Sequence, residues 1–313
     1  MTPSARDAAP GGGPSRPLEV VEYTDPLCPW AWGSEPVFRR LRSALAGHVR
    51  WRRVYGILFD EGEDPAPDPA AETAWYAQLV TGIGAHTLAP RAEVLRRVAA
   101  SSWPASLAAK AAELQGAEVA DRVLRRLRES VFVLGEPADT PLLVLRSVRG
   151  VPGLDADRLT RDAASPGVRD QVLADRAEAR HPVPEVLTVS AESPHPGAAR
   201  ETPDGDLRYA LPTLLFRTPA AHRAVPGWRP FETYAAVVDA LAPGLLPAAP
   251  PLDPAGALER YRSLTEPERL MLGDGAWPPP GALRVDTAQG PLWLHPDEAR
   301  QHPAATPYTP TPR

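Results

Sequence analysis

Leu18-Glu-Val-Val-Glu-Tyr-Thr-Asp25-Pro26-Leu27-Cys28-Pro29-Trp30-Ala31-Trp32-Gly33 is the stretch on which the fold turns. Leu18 to Tyr23 is a short β-branched and apolar run, and Thr24, Asp25 and Pro26 end it, the pattern of a buried strand running into a turn. A helix follows, with Cys28 at its cap and Pro29 at the first helical position, where a missing N–H costs nothing. Trp32, Val37, Phe38, Leu41 and Leu45 then share one face, and Pro36 is expected to kink the helix. The thiol thus lies where a helix begins. Backbone N–H groups of the first turn and the helix dipole face the sulfur and favour its anion. A free thiol titrates near about 8.5 and is lowered to roughly 3.5 to 7.5 at such positions, so a thiolate at neutral pH is expected.

Outward from this stretch, His48 to Phe59 reads as a second strand, with Trp51, Val54 and Ile57 among arginines, and Glu61 to Pro69 as a Pro/Asp loop. Strand, helix, strand is the start of an α/β domain. From about Ala71 to Arg180 the period is helical, through Leu107, Ala111 and Leu114, Val119, Val123, Leu124 and Leu127, Leu142, Leu145 and Val148, and Val168, Val172 and Leu173. A strand signal returns at Leu211 to Phe216, paired with Ala221 to Val225, and a helix spans Phe231 to Leu241. A Pro/Ala linker, Pro247 to Pro254, leads to one helix from Ala255 to about Leu272 and a hairpin of Leu283 to Val285 with Leu292 to Leu294 that turns at Gln289-Gly290. The division expected is a disordered tail (1–17), two parts of one α/β domain (18–70 and 186–245) around a helical insertion (71–185), and a C-terminal extension (246–313). That extension either packs on the main domain or mediates dimerisation, and its last dozen residues are loose.

A chain of 313 residues with 43% hydrophobic and 23% charged residues is globular, which sets aside collagenous, coiled-coil and wholly disordered classes. A net charge of -5 gives no basic footprint for nucleic acid. With no run of 18 apolar residues and no apolar core to the N-terminal segment, the chain is expected to be cytoplasmic and not membrane-spanning. A single cysteine forbids an intrachain disulfide. His48, His86, His181, His195, His222, His295 and His302 are scattered without metal-ligand spacing, so no metal is expected, and no glycine-rich phosphate motif points to a nucleotide. Arg96, Arg97 and the Arg122, Arg125, Arg126 and Arg128 group read as solvated helix faces. Asp25 reads as a turn cap or as a charge near the thiol. From residues alone Cys28 is a reactive thiol or a small buried hydrophobe, and Pro212 an edge-strand or a cis proline.

Taken together, these residues resemble the thioredoxin-fold proteins of the DsbA type, in particular the cytoplasmic FrnE-like branch, over about Leu18 to Leu241. The resemblance rests on Asp25-Pro26-Leu27-Cys28-Pro29-Trp30, on Pro36 eight residues past the thiol, and on Leu211-Pro212-Thr213 opening the late strand. Trp103 to Gly116 and the Gly153-Leu154-Asp155 step are also similar. It implies a thioredoxin-like α/β fold with a large all-helical insertion and a small C-terminal extension. It implies too that Pro212 is cis and packs beside a nucleophilic Cys28, with Pro29, Trp30, Leu211, Pro212 and Thr213 lining the place of a protein or small-molecule thiol or disulfide.

One departure changes the chemistry. Ala31 stands where the family pattern has its second cysteine, and a dithiol protein uses that second thiol to resolve the mixed disulfide. The resemblance therefore implies a monothiol thiol-disulfide oxidoreductase or thiol transferase, with no bound cofactor and an external low-molecular-weight thiol as co-substrate. Lys110 as the sole lysine and 40 prolines suggest a GC-rich genome, which favours mycothiol over glutathione. The alternatives are a non-catalytic thioredoxin-like adaptor of the protease-delivery kind and a glutathione-dependent isomerase, whose relatives carry Ser at the thiol position.

Overall fold

The computed structural model describes residues 18–60, 67–189, 194–195, 197–202, 204–246, 252–271 and 275–305. The expected N-terminal tail, most of the Glu61–Pro69 loop, most of the Pro247–Pro254 linker and the last eight residues lie outside them. In chain order the elements are β1 (Leu18–Thr24), α1 (Pro29–Ala44), β2 (Val49–Tyr55), α2 (Pro69–Thr87), α3 (Trp103–Glu113), α4 (Ala117–Phe132), α5 (Pro141–Ser147), α6 (Ala156–Ala163), α7 (Pro166–Ala179), β3 (Arg200–Glu201), β4 (Leu207–Arg208), β5 (Thr213–Arg217), β6 (His222–Pro226), α8 (Phe231–Leu241), α9 (Pro254–Tyr261), β7 (Ser263–Thr265), α10 (Glu266–Met271), β8 (Leu283–Val285) and β9 (Leu292–Leu294).

The main sheet has the order β2-β1-β5-β6. β1 runs parallel to β2, with Leu18 opposite Val49 and Thr24 opposite Tyr55, and antiparallel to β5, with Tyr23 opposite Thr213. β1 lies inside the sheet and is buried on both faces, and its one fully buried charge, Glu22, is paired with Arg42 and Arg53. The alternation of β1 divides the core. Leu18 and Val20 join Phe38, Leu41, Leu214, Phe216, Tyr234 and Val238 under α1 and α8, whereas Val21 and Tyr23 face Cys28, Ala31, Val54, Tyr209, Leu211 and Leu215. Pro36 lies inside α1, and the helix continues through it to Ala44.

The helical segment is less continuous than its periodicity suggests, because Leu88 to Ser102 is irregular between α2 and α3. Arg96 and Arg97 lie in that stretch and not on a helix, and Arg97 Nη2 donates to Asp139 Oδ1 at 2.6 Å. Trp32 is buried, but not on the face expected of it: it enters the core of the helical segment, whereas Val37, Phe38, Leu41 and Leu45 pack together in the core under α1 and α8. Trp32 stacks on Phe132 with ring centres 6.2 Å apart and donates its Nε1–H to the Pro90 carbonyl at 2.8 Å.

Two expectations fail for a shared reason. The single helix expected from Ala255 to Leu272 is broken: Arg262 turns left-handed at φ 65°, Ser263–Thr265 pairs with β9, and a capping box restarts the helix. In that box Thr265 N–H donates to Glu268 Oε2 at 2.7 Å and Glu268 N–H to Thr265 Oγ1 at 3.4 Å. The hairpin of β8 and β9 forms as expected and gains β7 as a third strand. The arginines of α4 are not a solvated face either. Arg125, Arg126 and Arg128 are at most 5% exposed, because α1 and the C-terminal extension close over them. Arg125 donates to Glu129, Ser263 and Glu268, Arg128 is paired with Glu35 and Arg126 with Glu298, and Arg39 of α1 reaches Glu268 at 2.7 Å. His302 Nε2 lies 2.9 Å from Glu129 Oε2 in the same network. The extension therefore packs on α1 and α4, and Leu292 and Leu294 enter the core of the helical segment.

Candidate active site

Cys28 caps α1 with extended backbone (φ -84°, ψ 119°) and Pro29 occupies the first helical turn. Asp25 builds the turn before it. One carboxylate oxygen accepts the Leu27 N–H at 2.8 Å and the Ser102 hydroxyl at 3.1 Å, and the other accepts the Leu58 N–H at 2.8 Å. Asp25 is therefore the turn cap that its position predicts. It also ties β1 to the end of β2 and the start of α3, although burial pushes its carboxyl above the usual range.

The cysteine is buried. Cys28 is 3% exposed, and its S–H donates to the Leu211 carbonyl at 3.4 Å. Burial pushes the thiol up to about 11, against a pull toward the anion from the backbone N–H groups of Ala31 and Trp30. The direction is opposite to the lowering expected from the helix N-terminus, because desolvation disfavours a charged sulfur.

The expected lining residues divide into two groups. The Leu211–Pro212 peptide is cis, both residues are buried, and the Pro212 carbonyl accepts the Gly227 N–H at 2.7 Å. Trp30 is half-buried beside Cys28, and Pro29 is buried in the helix start. Thr213 does not line a groove. It is fully buried and its hydroxyl donates to the Ala210 carbonyl at 2.6 Å, so it shapes the loop from beneath.

Two histidines that no motif marks also belong here. His195 Nε2 lies 3.1 Å from the same Leu211 carbonyl, and its Nδ1 accepts the Gly197 N–H at 3.0 Å. With Nδ1 accepting, the ring proton is on Nε2, and Leu211 O receives both Cys28 and His195. Burial holds the imidazole neutral, down at about 4. Gly227 makes the room: at φ 76° a Cβ there would stand 2.4 Å from His195 Nδ1. Trp30 meets His195 edge-on at 5.1 Å and His86 at 6.0 Å, and His86 meets Trp228 at 4.5 Å. His86 ends α2 and His195 precedes β3, so only the fold joins them. Among the described residues no group of three His, Cys, Asp or Glu could hold a metal ion, and no helix is long and apolar enough to cross a membrane.

The chain matches the model of the thioredoxin family over residues 22–181. It is 27% identical over 281 residues to the ClpXP adapter protein SpxH of Shouchella clausii, an alignment that covers 88% of this chain and 82% of that one. It is 29% identical to the SpxH of Halalkalibacterium halodurans over 177 residues, about half of each chain. A solved structure from Nitrosomonas europaea, a candidate protein disulfide isomerase, superposes with a TM-score of 0.56 at 15% identity and covers 71% of this chain and 96% of its own. That likeness is one of fold.

Proposed function

The chain belongs to the thioredoxin family, and from that premise we propose that it is a binding protein, an adaptor that holds a client protein without exchanging disulfides with it. One observation carries the reading: the only thiol is buried with its S–H given to Leu211, beside Ala31 where a resolving thiol would stand. A dithiol redox cycle needs an exposed thiolate and a second protein thiol to release the product, and this site offers neither. A binding role needs only the surface around Trp30 and the Leu211–Pro212 loop. The naming of the SpxH relatives as ClpXP adapters, one of them matched over most of this chain, supports the same role and points to a protein client. In this reading the protein is cytoplasmic, where a lone thiol stays reduced, and its partners are proteins and not nucleic acid or membrane.

A second reading is favoured by a different observation, the backbone N–H groups of Ala31 and Trp30 that pull the sulfur toward its anion. In it a movement that bares Cys28 allows its thiolate to attack a disulfide, which forms a mixed disulfide and expels one thiolate. An external thiolate, from mycothiol or glutathione, then attacks that bond and regenerates Cys28. Position 28 is Cys and not Ser, which counts against the isomerase reading.

Client capture by Cys28→Ser separates the two. Adaptor function predicts that Cys28→Ser binds the client as the wild type does while Trp30→Ala binds weakly. Exchange predicts that Cys28→Ser loses the covalent adduct and the turnover of a mixed disulfide with the external thiol.

A further inference from the structure

α2 carries a face that the fold leaves uncovered. Glu72 is its only Asp, Glu, Lys or Arg, and its solvent side holds alanines, Gln78, Thr81 and Gly82 around two large apolar side chains, Trp75 at 63% and Leu79 at 38% exposure. Trp75 and Leu79, one helical turn apart, set an exposed apolar patch among these small and uncharged side chains, the kind of patch that marks an interaction surface. Trp75, Leu79, Gly82 and His86 recur at helical spacing and form one stripe. At Gly82 an added Cβ would meet nothing within 4 Å, so the stripe has a notch open to an incoming side chain. The stripe ends at His86, whose ring abuts both Trp30 and Trp228. It is therefore continuous with the surface beside Cys28.

At that end the chemistry changes from apolar to cationic. Arg229 donates Nη1 to the Trp228 carbonyl at 2.6 Å, while its Nη2 is buried with no hydrogen-bond partner among the described residues, as is His86 Nε2. A buried donor without an acceptor is costly, and a carboxylate is the group that answers a guanidinium best.

We propose that the outer face of α2 and the Trp228–Arg229 corner form one docking surface for a client-protein segment that sets apolar side chains on Trp75 and Leu79 and a carboxylate on Arg229. It rests on the binding-protein reading above and names the chemistry of the client. It does not depend on Cys28.

The test is a library of 15-residue peptides displayed on beads and selected against the full chain, followed by synthetic pairs in which each acidic residue is replaced by its amide. Selected peptides are expected to place apolar residues near Asp or Glu. Trp75→Glu and Leu79→Glu should each weaken binding at least about tenfold, in the range of an interface anchor, with melting unchanged because both side chains are exposed. Arg229→Gln should erase the preference for the acidic over the amide peptide, and Arg229→Lys should keep it. The proposal is overturned if no peptide is selected, if the Trp75→Glu chain binds as the wild type does, or if the wild type is a dimer that Trp75→Glu dissociates, since the occupant is then a second copy. Trp30→Ala and Cys28→Ser report on the earlier reading separately: loss in Trp30→Ala with none in Trp75→Glu defeats only the present inference.

Discussion

The Cys28 thiol and the Leu211 carbonyl, 183 positions apart in sequence, are hydrogen-bonded at 3.4 Å. The bond ties the start of α1 to the cis-proline loop, and it requires the proton to stay on sulfur. Ionising Cys28 would place an anion against a carbonyl oxygen in a buried site, so this contact favours the protonated thiol.

The thiol should therefore titrate near 11. Absorbance of the thiolate near 240 nm against pH, with Cys28→Ser as the blank, reads this directly. The thiolate fraction at neutral pH should be roughly 300-fold below that of a free cysteine, and reaction with a small aromatic disulfide should be slower, by a smaller factor because a more basic thiolate is more nucleophilic. An apparent value at or below about 7 would sink the binding-protein reading and favour exchange.

His195 sets an acid limit. Its neutral form is held by burial down to about 4, below the usual 6.5, so on acidification the unfolded chain takes up this proton first. The contribution is whole above about pH 6.5 and is lost as pH falls toward 4. Between pH 7 and pH 5 the wild type should lose roughly 2 kcal/mol more stability than His195→Gln, read from denaturant melts at the two values. His302, whose imidazole burial also lowers, is present in both proteins and cancels in the comparison. Equal losses would show that His195 is not held neutral.

What the sequence made legible was local. The β-branched run of β1, the proline after Cys28 and the apolar spacing of α8 each encode their own conformation within a few residues, and they set the fold class. His195 was illegible because nothing in Ser-Pro-His-Pro-Gly says that it will meet Leu211, sixteen residues on, beside a thiol far back in the chain. The arginines of α4 misled because a charged helix face looks the same whether water or another element covers it, and here α1 and the extension do. The break at Arg262 was readable in principle, since Thr265-Glu-Pro-Glu268 is a capping box, but the helical spacing on either side of it masked the restart.

Restoring the missing cysteine should not by itself restore the missing chemistry, because Cys28 stays buried with its proton held against Leu211. Ala31 is fully buried in the first turn of α1, three residues past Cys28, where a second thiol can attack a mixed disulfide. Ala31→Cys, like the wild type, should therefore reduce insulin disulfides with dithiothreitol no faster than the uncatalysed rate, and catalysis by the variant would show that Cys28 becomes accessible. The added sulfur enters a packed site and should cost about 1–3 kcal/mol in stability. Catalysis by the wild type itself would contradict a binding-only role.

Arg125 bears on how the C-terminal extension is held. Its guanidinium is 3% exposed and reaches Glu129 at 2.7 Å and Glu268 at 3.1 Å, and it lies 4.4 Å from the Trp32 ring centre. Arg125→Ala would leave two carboxylates buried with one cation fewer, and removal of one partner from such a network costs about 3–5 kcal/mol. Glu268→Gln on that background should recover part of the loss, because it removes the stranded charge, and the recovery in a double-mutant cycle measures the coupling. Because α1, α4 and the extension share these charges, the Arg125→Ala chain should still unfold in one transition at a lower midpoint. A separate early transition confined to the extension would show instead that the network is not what holds it to α1 and α4.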